Sequence, residues 1–190
     1  MKRVKNGAVL ISLLSVAVGC ATVSYQEPNS GPRARIRFVA DYQDITVVHQ
    51  FDDEDCKSND RDVTRLRSGF IGPNTNRKSL GIPLPPPVHE NARSEIFVVA
   101  GQPFHGMFMG LVTSTIFSIK PDADCRTVFS FVPEEGQDYE AEFLTGHKWC
   151  SMRLFQIIRS NDGSLIRKPK STPPKEPGQC ETALKKAYVY

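Results

Sequence analysis

Alternation between apolar and polar side chains dominates this chain from residue 33 onward. In residues 33–40 (RARIRFVA), the alanines, the isoleucine and the phenylalanine share one face, and the three arginines share the other. Residues 45–51 (ITVVHQF) alternate in the same way. A period of two is typical of a β-strand with one buried face, so both segments are predicted to be strands.

The same pattern returns in the second half of the chain. Further strands are predicted at residues 95–100, within 107–119, and at 126–132, 137–145, 148–159 and 164–166. Between them, residues 52–88 form a long connection, in which we expect an edge strand because long structureless loops are rare in compact domains. Only residues 180–187 have a helix-compatible composition. Seven or eight short strands predict an all-β fold, an antiparallel sandwich with a short C-terminal helix.

The first nineteen residues differ from the rest of the chain. Lys2, Arg3 and Lys5 precede the stretch 7–19, whose only polar side chains are two serines. A basic start followed by a short apolar run is typical of a secretory signal. A membrane span needs about 20 apolar residues, so this run is too short to be one. Residues 1–19 are therefore predicted to be a signal peptide that is removed.

The end of this segment, Val16-Ala17-Val18-Gly19-Cys20, resembles the lipobox of bacterial lipoproteins, with Ala17 where leucine is usual. The resemblance implies cleavage before Cys20, acylation of Cys20 and, since no aspartate follows the cysteine, an outer-membrane address. Ordinary signal cleavage at the same bond is the alternative and would leave a thiol. Acylation is preferred because several acyl chains anchor a protein firmly. Residues 20–32 would then be the lipidated cysteine and a flexible tether.

Removal of the signal changes the charge and the cysteine count. The whole chain has 24 Lys+Arg against 21 Asp+Glu, and five cysteines. The signal contains three of the basic residues, so the mature chain is formally neutral, 24 − 3 = 21. Nucleic-acid binding is therefore not expected. With Cys20 acylated, four cysteines remain in an oxidising compartment, which predicts two disulfides.

Three pairings of the four remaining cysteines are possible. Cys125 and Cys150 are each in phase with the apolar residues of their strands, which favours a Cys125–Cys150 bond and leaves Cys56 with Cys180. Bridged Cα atoms are rarely more than about 7 Å apart. The first pair therefore requires either that Cys125 lies in a loop or that the two strands belong to different sheets.

Residues 125–150 contain the best-defined local pattern. Pro133 and Gly136 fit a turn between two alternating segments, so a hairpin is predicted, with Glu140 and Glu142 facing water. The arrangement Cys…Phe-x-Pro-x-x-Gly-x-x-Tyr-Glu…Cys resembles a segment of small proteobacterial envelope lipoproteins with transthyretin-like or immunoglobulin-like sandwich domains. The resemblance implies a β-sandwich in the cell envelope, and it carries no catalytic residue.

The sequence contains no common catalytic or cofactor motif. It lacks a nucleophile elbow, a P-loop, a His-Glu-x-x-His sequence and a Rossmann fingerprint. The acidic residues of 52–62 lack the regular alternation and central glycine of a Ca²⁺ loop, so a solvated turn is preferred. His49 is in phase with apolar strand residues, which favours a hydrogen-bonded core histidine over a ligand. No metal or cofactor is expected.

Three further segments have two interpretations each. The apolar residues near 104–110 form either an exposed recognition patch or part of the core: Phe104, Met107, Phe108 and Met109. The Pro-rich residues 83–87 are preferred as a stiff connector or edge-blocking loop over a polyproline ligand. The basic segment 167–186 either contacts lipid phosphates or is a solubilising tail, which is the simpler interpretation.

These observations predict one disulfide-stapled β domain, residues 33–190, held to the outer membrane by acyl chains on Cys20. The expected function is that of a non-enzymatic binding or accessory module with an envelope protein partner. One alternative is an inhibitor of a cell-wall hydrolase such as lysozyme. Another is a hydrolase whose site is assembled from scattered residues such as His105, His147, Ser151 and Glu140.

Overall fold

The computed structural model describes residues 23–40, 45–56, 58–66, 78–88, 90–115, 118–146 and 149–171. The described residues form strands and one short 3₁₀ turn, Glu90–Ala92. The strands are β1 (Val23–Ser24), β2 (Arg33–Ala40), β3 (Ile45–Phe51), β4 (Arg61–Leu66), β5 (Arg93–Val99), β6 (Phe104–Thr115), β7 (Ser118–Phe131), β8 (Asp138–Gly146), β9 (Trp149–Arg159) and β10 (Leu165–Pro169). Strands β2 and β3 coincide with the segments whose alternation is clearest.

The strands form two five-stranded sheets. Sheet A has the order β1-β4-β3-β6-β7, and sheet B has the order β10-β9-β8-β2-β5. Neighbouring strands are antiparallel except for β1 with β4 and β2 with β8, which are parallel. The predicted all-β sandwich is confirmed. The long connection contains the strand expected there, β4, which lies between β1 and β3 and is therefore not at the edge of its sheet. Strand β1, within the predicted tether, was not expected.

The core lies between the sheets and is rich in aromatic rings. Phe108 of sheet A stacks on Phe143 of sheet B with a centroid separation of 5.2 Å, and Phe131 contacts Tyr139 at 5.0 Å. Gly106 leaves room for this packing, since a Cβ there would lie 2.4 Å from the ring of Phe129. The core is therefore packed too closely around this position to accept even one more methyl group.

The predicted hairpin between β7 and β8 is wrong. Although the two strands follow each other, β7 pairs with β6 in sheet A and β8 pairs with β2 and β9 in sheet B. The connection crosses from one sheet to the other. Pro133 accepts a bond from the N–H of Gly101 at 2.8 Å, and the N–H of Glu134 donates to the Tyr139 hydroxyl at 2.9 Å. Gly136 has the positive φ expected for it, 72°.

The predicted flexible tether is also corrected. Val23–Ser24 pairs with β4, and the N–H of Tyr25 donates to the carbonyl of Asp62 at 2.9 Å. The Tyr25 ring packs edge-on against Phe104, with centroids 6.3 Å apart. Periodicity did not reveal this segment because it is held by one short strand and a few side chains. Val23, Ser24 and Tyr25 are therefore part of the sandwich.

Several predictions concern residues outside the described ranges. These are the signal peptide 1–19, Cys20, Cys180 and the C-terminal helix. Among the residues that the structure describes, no helix has the length and apolar character needed to cross a membrane.

Candidate functional site

Three ionisable side chains are buried on the outer face of sheet B. Arg37 of β2 lies in register with Glu95 of β5 and with Glu140 of β8. Its Nε donates to Glu95 Oε1 at 2.8 Å, and its Nη1 donates to Glu140 Oε2 at 2.8 Å. All three residues are at most 4% exposed. Charged groups are rarely buried unless they are paired, and these residues form a paired cluster beneath a cover.

The cover is the segment of residues 80–84, here called the strap. Arg37 Nη1 and Nη2 both donate to the carbonyl of Pro83 at 3.2 Å, and Nη2 also donates to that of Ile82. In return, Glu95 Oε2 accepts the N–H of Ile82 at 3.2 Å. The ion cluster thus supplies hydrogen-bond partners for strap backbone that forms no strand.

Glu140 has a second cationic partner, Arg167 of β10. Arg167 Nε donates to Glu140 Oε1 at 2.6 Å, and Arg167 Nη2 donates to the carbonyl of Leu84. With Arg37 and Glu95, the cluster has two cations and two anions. The prediction that Glu140 faces water is wrong, since it is 2% exposed. Its alternation correctly indicated the outer face, but the strap covers that face.

The free edge of β5 is closed by side chains from outside the sheet. The N–H of Phe97 donates to Glu27 Oε2 at 3.1 Å, and its carbonyl accepts a bond from the Tyr25 hydroxyl at 3.2 Å. Glu27 is held in turn by Lys78 Nζ at 2.6 Å. Open strand edges invite pairing with other chains, so these contacts protect the edge. The Pro-rich residues 83–87 were predicted to form a stiff connector or to block an edge. The first of them, Pro83, lies over the outer face of sheet B, where its carbonyl accepts a bond from Arg37.

A groove opens at the end of the sandwich where β3 ends and β4 begins, with a volume of about 400 Å³. It is lined by three carboxamides, an ion pair and two aromatic rings, from Gln26, Gln50, Gln102, Asp52, Arg61, Tyr25 and Phe104. Pro103 separates it from a second depression of about 500 Å³. The second depression is lined in part by Glu54, Val132, Glu134, Lys170 and Ser171. Ligand sites in sandwiches often lie at such an end, where loops cluster.

The charged groups of the groove neutralise each other. Arg61 bonds both carboxylate oxygens of Asp52, with an Nη2–Oδ2 distance of 3.0 Å, and its Nη1 donates to Gln50 Oε1 at 2.8 Å. The hydrogen bonds from Arg61, and then from Asn59, lower the pKa of Asp52 to about 2. In the second depression, Lys170 Nζ lies 3.0 Å from Glu134 Oε1. The Asp52–Arg61 pair thus gives the groove hydrogen-bonding groups without adding net charge.

Tyr25 forms the side of the groove nearest the N-terminus. Its burial, and then the nearby Glu27 carboxylate, raise its pKa to about 12. The hydroxyl is therefore protonated at physiological pH, and it donates to the Phe97 carbonyl. The ring is positioned as a contact surface, and it is not a candidate acid or base. The amides, with the neutral ion pair, can bind an uncharged ligand that forms hydrogen bonds.

Cys125 and Cys150 face the core between the sheets, as their phase with neighbouring apolar residues predicted. Cys125 of β7 and Cys150 of β9 come from different sheets, which meets one of the two conditions for their pairing, and they contact the same core cluster. Cys125 Sγ lies 3.9 Å from the carbonyl oxygen of Trp149. A bond between the two sulfurs is not shown, so it remains a prediction. Cys56 is disulfide-bonded.

The four residues of the predicted recognition patch are buried. Phe104, Met107, Phe108 and Met109 are each at most 6% exposed, so they do not form an exposed patch. Phe104 and Phe108 point between the sheets. Met107 and Met109 belong to a second cluster, on the outer face of sheet A. Core packing is therefore the correct interpretation for this segment.

His49 and the acidic turn form hydrogen bonds and ion pairs with other residues of the protein. His49 is 4% exposed and its Nδ1 lies 2.7 Å from Asp60 Oδ1, which confirms a hydrogen-bonded core histidine. Asp52 pairs with Arg61, as above, and Asp62 is bonded by Arg65 Nη2 at 2.7 Å. Within the described ranges, no three His, Cys, Asp or Glu side chains are grouped so that they could hold a metal ion.

The residues of the alternative hydrolase site do not converge. His105 is in phase with Met107 on the outer face of sheet A, whereas Glu140 is committed to its arginines on the outer face of sheet B. Ser151, on β9, pairs in register with β8 in sheet B. The aromatic core separates His105 from the other two, and His147 lies outside the described residues. The described members therefore do not form a catalytic cluster.

Comparison with known proteins found no matching family model, no matching curated protein and no matching solved structure.

Proposed function

We propose that this chain is a lipid-anchored, non-enzymatic binding or accessory module of the bacterial outer membrane, and that its ligand binds the groove. The lipobox-like residues 16–20 support the anchor. The hydrogen-bonding lining of the groove, with its mutually neutralised ion pair, supports binding over catalysis. The predicted Cys125–Cys150 disulfide suits an oxidising compartment, and the facing positions of the two thiols support it.

The position of Tyr25 carries the proposal. Tyr25 lines the groove, and it lies only five positions after Cys20 along the chain. An extended chain spans at most about 3.6 Å per residue, so an acylated Cys20 would lie within about 18 Å of Tyr25. Anchor and groove would then share one end of the sandwich. The ligand is accordingly expected to be an envelope component close to the membrane.

Metabolic labelling with palmitate tests the anchor. Label is expected on the wild-type protein and not on Cys20→Ser, because the cysteine thiol is the attachment point. Label on both proteins, or on neither, would contradict acylation at Cys20.

Crosslinking in the native envelope tests the groove. A photoreactive amino acid replaces Gln102, which is exposed and lines the groove, and in a control it replaces Arg153, which is exposed on the outer face of sheet B. A specific partner is expected from position 102 and not from position 153. Equal products from both positions, or none from position 102, would exclude the groove as the binding site. Capture of a cell-wall hydrolase in a stoichiometric complex would instead identify an inhibitor.

A further inference from the structure

The groove at the end of the sandwich presents two exposed carboxamides to a ligand, those of Gln26 and Gln102. Gln26 uses its Nε2 for a bond within the chain, to the carbonyl of Ser24 at 3.4 Å, and its Oε1 stays available. Gln102 forms no side-chain hydrogen bond with the described residues. A carboxamide carries a donor and an acceptor side by side. A ligand hydroxyl, which also donates and accepts, therefore matches these groups.

The charged side chains of the groove favour an uncharged ligand. Asp52 is bonded by Arg61 and also by Asn59 Nδ2 at 2.5 Å, and Gln50 Oε1 accepts a further bond from Arg61 at 2.8 Å. An ionic ligand would find its counterion already paired, and desolvating an unpaired charge is costly. The Asp52 and Arg61 side chains are 43% and 25% exposed, so both can still bond neutral hydroxyls.

Apolar surface lies between these polar groups. Among the described residues four large hydrophobic side chains are exposed, and two of them are here: Val99, 37% exposed, lines the groove, and Val132, 47% exposed, lines the second depression. The ring of Tyr25 is held in place because its hydroxyl donates to the carbonyl of Phe97 at 3.2 Å. A sugar ring suits such a mixed surface, since it has C–H groups on its faces and hydroxyls around its edge.

The groove and the second depression are neighbours, because Pro103 lines both. Their volumes of about 400 and 500 Å³ each fall within the roughly 300–1,000 Å³ typical of small-molecule sites. The second depression also combines a hydroxyl, from Ser130, with a paired charge, Lys170 Nζ at 3.0 Å from Glu134 Oε1. Glu54 adds a carboxylate to its lining, which disfavours an acidic ligand. A chain of neutral rings can extend from one depression into the other.

We propose that the ligand of the groove is an uncharged saccharide chain that crosses Pro103, with one sugar in the groove and a following sugar in the second depression. This inference rests on the proposed function, because it names the ligand class of the same groove. The hydroxyls would bond the exposed amides, and the C–H faces of the rings would pack on Val99 and Val132. The saccharide is either an N-acetylated glycan, such as the glycan strand of a cell wall, or a plain neutral glucan.

Calorimetric titration of the purified full chain, in a detergent without a sugar head group, tests the ligand class. The probes are N-acetylchitotetraose, cellotetraose and tetragalacturonic acid, which has the same number of sugars but is acidic. At least one neutral tetrasaccharide is expected to bind, and the acidic one is not. Tighter binding of the N-acetylated probe identifies a wall-type glycan, and tighter binding of cellotetraose identifies a glucan. Binding of the acidic chain as tightly as the neutral ones, or binding of none, would overturn the proposal.

Two variants test the position of the sugar. Gln102→Ala should weaken binding of the neutral tetrasaccharide about 2- to 12-fold, the loss expected for one neutral hydrogen bond. Gln156→Ala is the matched control, because this amide bonds Gln137 on sheet B and lines neither depression. An unchanged affinity in Gln102→Ala, or an equal loss in the control, would place the sugar elsewhere. Val132→Ala should weaken the tetrasaccharide but not the disaccharide, and equal effects on both lengths would refute the crossing at Pro103.

Photocrosslinking from position 102 separates this inference from the proposed function. If no saccharide binds but a partner protein is captured specifically at position 102, the saccharide is wrong and the groove remains the binding site. If no saccharide binds and position 102 captures nothing, both proposals fail.

Discussion

Replacement of Arg37 by methionine tests whether the buried ion cluster holds the strap on sheet B. The side chains of Arg37, Glu95 and Glu140 are 1%, 5% and 3% exposed, so water cannot compensate for the lost charge. Removing one partner of a buried ion pair costs about 3–5 kcal/mol. Glu140 keeps Arg167, and Glu95 keeps its bond from the strap N–H of Ile82, which places the expected loss near the lower end of that range.

Urea unfolding measures this loss. With a slope of about 2 kcal/mol per molar urea, the midpoint should fall by about 1.5 M or more. Arg153→Met is the matched control, because Arg153 pairs with Glu142 on the surface, with its side chain 55% exposed. An exposed pair contributes at most about 1 kcal/mol. The strap should also become sensitive to limited proteolysis in Arg37→Met alone.

The double variant Arg37→Met/Glu95→Gln separates the charge effect from lost packing. It is expected to be more stable than the sum of the single losses predicts, because it leaves no unpaired carboxylate at residue 95. Strict additivity of the single variants, or a loss in Arg37→Met no larger than that in Arg153→Met, would refute the reasoning.

Three other predictions concern the groove, the core and the thiols. NMR titration should place the Asp52 pKa at about 2, and Arg61→Met should return it towards 3.8. Because the pKa of Asp52 is lower in the folded protein than in the unfolded chain, the ion pair's contribution to stability is complete above pH 3.8 and disappears as the pH falls towards 2. Gly106→Ala should lower the unfolding free energy by about 1–3 kcal/mol through overpacking, and a midpoint equal to wild type would contradict the contact distances. Oxidation should join Cys125 to Cys150 and stabilise the protein by about 3.5 kcal/mol before strain. This is measured as the difference in unfolding free energy between oxidised and reduced samples. Mass spectrometry that shows two thiols after oxidation would refute the prediction.

Strand positions could be predicted from the sequence because alternation is a local property. The partners of the strands could not. Pro133 and Gly136 provide suitable chemistry for a hairpin, yet the chain uses them to cross between the sheets, since β8 finds its partners in β2 and β9. Likewise, the outward phase of Glu140 is visible in the sequence, but Arg37 lies 103 residues away from it along the chain.

The groove was invisible in the sequence for a different reason. Its amides, Gln26, Gln50 and Gln102, come from three separate segments and match no motif. Nothing in the sequence around these glutamines marks them as binding residues, so the three amides are recognisable as a group only in the folded protein. The near-continuous apolar run of β3, ITVV, was the one available sign of a strand buried on both faces.

The proposed location of the ligand site is supported in part by the contacts that already occupy the other surfaces of the described residues. A buried arginine beside basic neighbours could suggest an anion site on sheet B, but the donors of Arg37 are committed to Glu95, Glu140 and the carbonyls of the strap. The cluster also balances its own charge, so an anion would have no free donor and no net positive field. The apolar outer face of sheet A is buried, and the edge of β5 is closed by Tyr25 and Glu27. The exposed amide of Gln102, at the end of the sandwich, has no such commitment among the bonds of the described residues, and this is why the groove is the better candidate for binding.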